Sequence, residues 1–283
     1  MIKLALTDLD DTLIHFGASH ANQATIDAVR QALAAGVRFG PMTGRPPVAM
    51  GWMFGAGNED CWQTGGFSNG QIIYLDGKLV HSVELPREAL ETTIALVDQT
   101  DDARFTIYSI DEDGRYDFVT TRPELVTREF QWMLGPKRGI VDTLPAGKLY
   151  KANIHCACSR ERMAQIRDAL NAQVEGLDFV FPSMTAPVID ISPRGWNKGS
   201  AVCALAEAMG IGLDEVAVFG DSENDLSMIR AVPNSVAVAN AAPEGATAAR
   251  WHSGACADDA VPAALEDIAR AACECGMPAF MRG

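Results

Sequence analysis

Asp8 and Asp10, in the run KLALTDLDDT, are the residues of this chain whose type and spacing most directly suit chemistry. They follow the apolar run Ile2 to Leu6, the pattern of a buried strand whose C-terminal end delivers charge to a cleft. An Asp at such a tip can attack phosphorus as a nucleophile, and a second Asp two residues on points the same way along an extended chain. An Asp-x-Asp pair is also common in acidic loops and helix caps, so alone it identifies nothing.

Three further segments repeat the same design. In GVRFGPMTGR, Val37 and Phe39 lead into Thr43, Gly44 and Arg45; a hydroxyl and nearby backbone N–H groups at a strand end hold phosphoryl oxygens, and Gly44 lets the backbone approach closely. By itself Thr-Gly-Arg is an ordinary turn. In GWNKGSAV, Lys198 opens a helix whose face is Val202, Leu205, Ala206 and Met209 and which ends at Gly210. A lone Lys there is usually a solvated surface charge. In EVAVFGDSEND, a buried strand Val216 to Phe219 releases Asp221, Asn224 and Asp225; an acidic cluster in that position needs a counter-charge, for which a hard divalent cation with oxygen ligands is the natural choice.

The order DLDDT, TGR, K and GDSEND resembles the four motifs of the haloacid dehalogenase superfamily and, more narrowly, the Cof-type phosphatases. The resemblance extends to NGQIIY at Asn69 to Tyr74, to RGWNKGSAV, and to NSVAVANAAPEGATAA at Asn234 to Ala249. It covers both ends of the chain well and the middle in outline. It departs from the commonest pattern at Asp11, which stands where Gly often follows the second Asp. Asp11 is expected to point away from the metal, and Thr12 to tie down the turn with its hydroxyl.

Phosphate monoester hydrolysis needs a nucleophile, a proton donor and positive charge on the transferring group. Asp8 would attack phosphorus in line to give an aspartyl-phosphate, and Asp10 would protonate the leaving alkoxide and then deprotonate the hydrolytic water. The resemblance implies Mg2+ held by the Asp8 carboxylate, Asp221 and the Asp10 backbone carbonyl. It also implies that, of Asn224 and Asp225, one approaches the metal shell and phosphate while the other orients Lys198, with Asn224 taken as the nearer. Lys198 would neutralise the nucleophile, and Thr43, Gly44 and Arg45 would bind the phosphoryl oxygens. Because every expected polar group is present, the expected activity is a magnesium-dependent phosphatase of small phosphorylated metabolites such as sugar phosphates. A phosphomutase and a non-catalytic phosphometabolite sensor are the alternatives.

These residues must be carried by a core interrupted by an insert. The expected fold is an α/β, Rossmann-like parallel-sheet core at residues 1–83 and 192–283, with an α+β cap of the larger type IIB kind at 84–191. In the first core segment the helix Ile26, Val29, Leu33 stops at Gly36 before the strand reaching Thr43, a right-handed strand, helix, strand unit. In the second, SVAVANA forms a short strand and the helix Val261, Leu265, Ile268 closes the chain, with Pro262 in its first turn. Within the insert, a helix at Leu90, Ile94, Val97 precedes a hairpin of Phe105 and Ile107 with Tyr116 and Phe118 across the turn Asp113-Gly114. A helix around Val126, Phe130 and Met133 follows. Next come a strand Tyr150 to Cys156, a helix at Met163, Ile166, Leu170, and strands through Phe179, Phe181 and Val188 to Ile191. Leu85-Pro86 and Ser192-Pro193-Arg194-Gly195 suit hinges, so that closure would exclude bulk water. Substrate preference then belongs to cap positions such as Lys151, Asn153, His155, the loop Pro182 to Thr185, and Trp196.

The apolar fraction of 48% suffices for a sizeable core, and the net charge of −14 argues against nucleic acid as a partner. With no bilayer-length apolar stretch and no secretory leader pattern at Met1, the chain reads as cytosolic, without a membrane partner, and as a monomer or small homo-oligomer. Seven cysteines, with Cys156-x-Cys158 and Cys273-x-Cys275 off the C-x-x-C spacing, read as reduced, space-filling thiols. The five histidines are scattered, which argues against a histidine metal site.

Overall fold

A computed structural model describes residues 1–15, 17–110, 116–120 and 144–282. In chain order its strands are β1 (Leu4–Thr7), β2 (Arg38–Pro41), β3 (Gly65–Phe67), β4 (Ile72–Leu75), β5 (Lys78–Ser82), β6 (Ala103–Ile110), β7 (Tyr116–Thr120), β8 (Leu149–Cys156), β9 (Leu177–Val180), β10 (Val188–Pro193), β11 (Val216–Gly220), β12 (Asn234–Ala237) and β13 (Trp251–His252). The chain divides into two compact units, one of Met1–Ser82 with Asn197–Gly283 and one of Val83–Trp196.

The first unit is built on a parallel sheet in the order β13-β12-β11-β1-β2. β1 and β11 are buried at every position, which is why both read as unbroken apolar runs rather than as alternating strands. Strand order reverses at β1, whose neighbours are β2 on one side and β11 on the other, the switch point beyond whose carboxyl end open α/β sheets bind their ligands. The helix Gln23–Ala34 is capped by the Asn22 side chain, which accepts from the Thr25 N–H at 2.8 Å. Its buried stripe includes Ile26, Val29 and Ala32, whereas Leu33, expected in that stripe, is only half-buried. The helix Lys198–Met209 is capped by Asn197 and ended by Gly210 at φ 65°. A small antiparallel sheet, β3-β4-β5, follows β2 in this unit and was not anticipated from the sequence.

The second unit is an antiparallel sheet in the order β7-β6-β8-β10-β9. One face, with Phe105, Ile107, Ala152, Ile154, Ile189 and Ile191, packs with Leu90 and Val97 of the helix Arg87–Val97 and with Met163, Ile166 and Leu170 of the helix Arg160–Gln173. Phe181 is buried just past the end of β9 rather than within a strand. The turn Asp113-Gly114 and the expected helix around Val126, Phe130 and Met133 lie outside the described residues.

Two expectations need correction. Ser192 and Pro193, expected as a hinge, belong to β10, where they pair with Asp178 and Leu177 of β9; the second junction therefore lies at Trp196/Asn197 rather than at 191/192. Pro193 is tolerated because β8 pairs with β10 only as far as Ile191, so the N–H that Pro193 lacks has no partner to lose on that side. All seven cysteines are free, but only Cys61, Cys156 and Cys256 are buried, while Cys203, Cys273 and Cys275 are exposed and fill no core space. Among the described residues no helix is long and apolar enough to cross a membrane.

Candidate active site

The site lies within the first unit, where loops leave the carboxyl ends of the parallel strands. Asp8 follows β1, and its backbone N–H donates to Phe219 O of β11 at 3.0 Å. Asp221 follows β11. Lys198 opens its helix in a fully buried position, against the usual solvated fate of a helix-start lysine. Its Nζ donates to Asp8 Oδ1 at 2.7 Å and to Asp225 Oδ1 at 2.5 Å, joining residues 190 and 27 positions apart.

Asp225 is also buried, and its second oxygen accepts the backbone N–H groups of Asp221 and Ser222, each at 3.0 Å. That fold-back requires Gly220: a Cβ there would lie 2.6 Å from the Asp225 Cβ. Asp221 is held from both sides. Thr12 Oγ1 donates to its Oδ1 and Ser222 Oγ to its Oδ2, each at 2.6 Å. Thr12 therefore reaches across the sequence to the acidic cluster instead of tying down its own turn.

Asp8, Asp221 and Asp225 each offer a carboxylate oxygen within 4.8 Å of the others, and all three are buried. With Lys198 as their one contacting ammonium among the described residues, the group carries two excess negative charges when fully ionised. Burial pushes the Asp8 carboxyl well above the usual carboxylate range; Lys198 pulls part of that back, and the charges of Asp225, Asp221 and Asp10 push it further up. Burial, reinforced by Asp225, raises Asp221 to about 7 against the pull of Ser222, Thr12 and Lys198. For Lys198, burial alone would favour the neutral amine, but Asp225 and Asp8 overcome it and hold the ammonium above its ordinary range. A buried, all-oxygen, electron-rich group of this kind fits a hard divalent cation.

Asp10 takes a different partner. Its carboxylate accepts from Arg45 Nε at 2.6 Å and Nη2 at 2.5 Å, a two-pronged pair, and the guanidinium lies over the Trp52 ring at 5.0 Å. The Asp10 side chain is thus outside the Asp8, Asp221, Asp225 cluster. Arg45, expected as a phosphate ligand, has two of its N–H groups on Asp10. Thr43 is buried, with its Oγ1 accepting from the Arg45 N–H at 3.1 Å, and Gly44 lies between them. Asn224 is buried beside Asp225 and donates to Asn69 Oδ1 at 3.2 Å. Asp11 sits at φ 58°, a left-handed conformation that accounts for the glycine common in its place. Its carboxylate lies 3.5 Å from exposed His15.

The sequence reading missed Ser222, Trp52 and Asn69 as members of the site. Ser222 had a local signal in its place inside GDSEND and Asn69 in opening NGQIIY, whereas Trp52 had none. In the second unit, Lys151, Asn153 and His155 share one sheet face but are buried rather than alternately exposed. Lys151 pairs with Asp190 at 2.8 Å and Asn153 also donates to Asp190. Burial, aided by the charges of Arg104 and Lys151, lowers the His155 imidazole to about 3. In the loop before β10, Ser183 is buried and Met184 and Thr185 exposed, and Trp196 is half-buried.

A family model described as haloacid dehalogenase-like hydrolase matches residues 5–265, nearly the whole chain and all four motif loops. The chain belongs to the haloacid dehalogenase-like hydrolase family. Among curated relatives, the HMP-PP phosphatase of Escherichia coli O157:H7 (strain EC4115 / EHEC) is 26% identical over 252 residues, 86% of each protein. Among solved structures, SMU.1108c from Streptococcus mutans UA159 has a TM-score of 0.80 at 21% identity, covering 94% of this chain and 98% of its own. The HAD subclass IIB sugar phosphatase BT4131 has a TM-score of 0.73 at 19% identity, covering 93% and 98%. The fold is therefore the α/β haloacid dehalogenase architecture of subclass IIB.

Proposed function

We propose that this hydrolase is a magnesium-dependent phosphoric monoester hydrolase acting on small phosphorylated metabolites through an aspartyl-phosphate on Asp8. The observation that carries the reading is the buried Asp8 carboxylate at the end of β1, paired with Lys198 and grouped with Asp221 and Asp225. Two relatives named as phosphatases, one of HMP-PP and one of sugar phosphates, support the substrate class without choosing a member of it.

In this mechanism an Asp8 oxygen forms a bond to phosphorus as the bond to the leaving oxygen breaks, and Asp10, as the acid, gives that oxygen its proton. Asp10 then takes a proton from water, whose oxygen attacks phosphorus and releases phosphate, returning Asp8 as a carboxylate. Lys198 offsets charge on Asp8 throughout, and Thr43 Oγ1 with the Gly44 N–H donates to the phosphoryl oxygens. Asp8 and Asp221, with Asp225 adjoining, would hold the magnesium ion, which would supply positive charge to a substrate that the carboxylates would otherwise repel. Arg45 holds the Asp10 carboxylate in the resting site, and this pair opens for Asp10 to carry the proton it gives the leaving oxygen. The unit Val83–Trp196 serves as the cap in which preference for the leaving group resides, with Lys151, Asn153 and His155 as its candidate positions.

The test is hydrolysis of p-nitrophenyl phosphate with Mg2+, with EDTA, and by Asp8→Asn. Turnover is expected only in the magnesium-loaded protein with Asp8 intact. Release of p-nitrophenol by purified Asp8→Asn at the parent rate would eliminate Asp8 as the nucleophile.

A further inference from the structure

One turn that carries none of the four catalytic motifs touches three of them. Ser68, Asn69 and Gly70 follow β3 with φ values of 53°, 56° and 86°, three successive left-handed residues. Two of them are not glycine and both are buried; Asn tolerates this conformation, but Ser disfavours it, so at Ser68 the surroundings impose it. The Ser68 N–H donates to Arg45 O and the Asn69 N–H to Thr43 O, each at 2.9 Å. Gly70 approaches the helix of Lys198 so closely that a Cβ would lie 2.2 Å from the Ala201 Cβ. The Asn69 side chain makes the third connection, accepting at Oδ1 from Asn224 Nδ2.

That last bond fixes which way the Asn224 amide faces. With its nitrogen committed to Asn69, its oxygen is turned away from that partner, and this Oδ1 is buried with no hydrogen bond from any of the described residues. Asn224 is itself more than nine-tenths buried and adjoins Asp225 of the acidic cluster. A buried amide oxygen lacking a donor is costly unless an electropositive ligand sits against it. Reversed, the amide would present its NH2 donors where the oxygen now lies.

We infer that Asn69 is a positioning residue: it locks the Asn224 amide so that Asn224 Oδ1 accepts from the hydration shell of the divalent cation held by Asp8, Asp221 and Asp225. The inference rests on the metal-dependent reading above, but it assigns a role to a residue outside the motifs and is tested by binding rather than turnover. Residues that orient the groups around a metal typically alter affinity by about 10 to 100-fold when removed.

The experiment titrates Mn2+ into the full chain without substrate, by calorimetry, for the parent protein, Asn69→Gly, Asn69→Asp, Asn224→Ala and the double variant Asn69→Gly/Asn224→Ala. Glycine keeps the left-handed backbone and the N–H to Thr43 while deleting the side chain, and aspartate keeps an acceptor for Asn224 Nδ2. Asn69→Gly and Asn224→Ala are each expected to weaken Mn2+ binding at least about 10-fold. The double variant should be no weaker than Asn224→Ala, and Asn69→Asp should bind at least as tightly as the parent. Parent-like affinity in Asn69→Gly, further weakening in the double variant, or loss of binding in Asn69→Asp would each overturn the inference while leaving the metal site standing. Absence of Mn2+ binding by the parent protein would instead remove the metal-dependent reading and this inference with it.

Discussion

Lys198 is the point at which the electrostatics of the site are most exposed to test. Its ammonium is fully buried and bridges Asp8 and Asp225, whose side chains are 4% and 0% exposed. Replacing it by methionine keeps the length and the apolar stem but leaves two buried carboxylates, with Asp221 nearby, lacking their cation. Removing one partner of a buried ion pair costs about 3–5 kcal/mol, because the remaining charge stays desolvated. The lower end applies here, since Asp8 is already pushed toward its neutral form and can protonate in response. About 3 kcal/mol corresponds to a fall in Tm of roughly 6–12 °C for a protein of this size.

The sign of the pH dependence follows from the same groups. Lys198 has a folded pKa raised above its unfolded value, so its contribution is complete below about 10.5 and constant between pH 5 and 8. Without it, Asp8 loses the charge that pulls its carboxyl back down. A carboxyl raised in the folded state adds stability below its unfolded pKa of 3.8, and that stability is lost as pH rises through the folded value. The deficit of Lys198→Met relative to the parent should therefore widen from pH 5 to pH 8. Thermal unfolding by circular dichroism in EDTA, with parent and variant side by side, measures it. Equal melting temperatures at pH 8, or a deficit that shrinks as pH rises, would refute the reasoning.

Arg45→Met separates two roles for Arg45. If it acts through Asp10, kcat for an alkyl phosphate should fall about 100-fold while p-nitrophenyl phosphate, whose leaving group needs no proton, changes only a few-fold; equal rises in KM for both would mark a phosphate ligand instead. Asp8→Asn should lower kcat by at least about 10^3-fold with any substrate, measured by phosphate release. Magnesium should raise Tm more at pH 8 than at pH 5.5. The raised Asp221 carboxyl stabilises the metal-free protein below 3.8, that stability is lost through about 7, and below this value a cation must displace its proton. An equal gain at both pH values would contradict the assigned charge state.

What could be read from the sequence was whatever short-range order carries. β1 and β11 were visible because burial on both faces writes an uninterrupted apolar run, and Asp8, Lys198 and Asp221 because each sits within one residue of an element's end. The junction at Ser192-Pro193 was misjudged for the same reason in reverse. Proline punctuates locally, but β9 supplies a pairing partner that carries β10 through it. Lys151, Asn153 and His155 had the correct parity for one sheet face, yet their burial is a tertiary fact that alternation does not encode.

The polar pairings were the hidden part. Thr12 meets Asp221 across 209 positions, Arg45 meets Asp10 across 35, and Asn224 meets Asn69 across 155. Composition names such groups, but it does not say which charge answers which, and a strand-end arginine beside a threonine reads equally as a phosphate ligand or as the partner of a carboxylate. The left-handed Ser68 and Asn69 are harder still, since no local preference selects that conformation for both. It is adopted because Thr43 O and Arg45 O accept their N–H groups and Ala201 leaves room only for Gly70 beside them. The cost of the turn is thus borne by contacts with the loops it orders. A substitution that breaks the turn, as Asn69→Gly does not, should consequently disturb Thr43, Lys198 and Asn224 together.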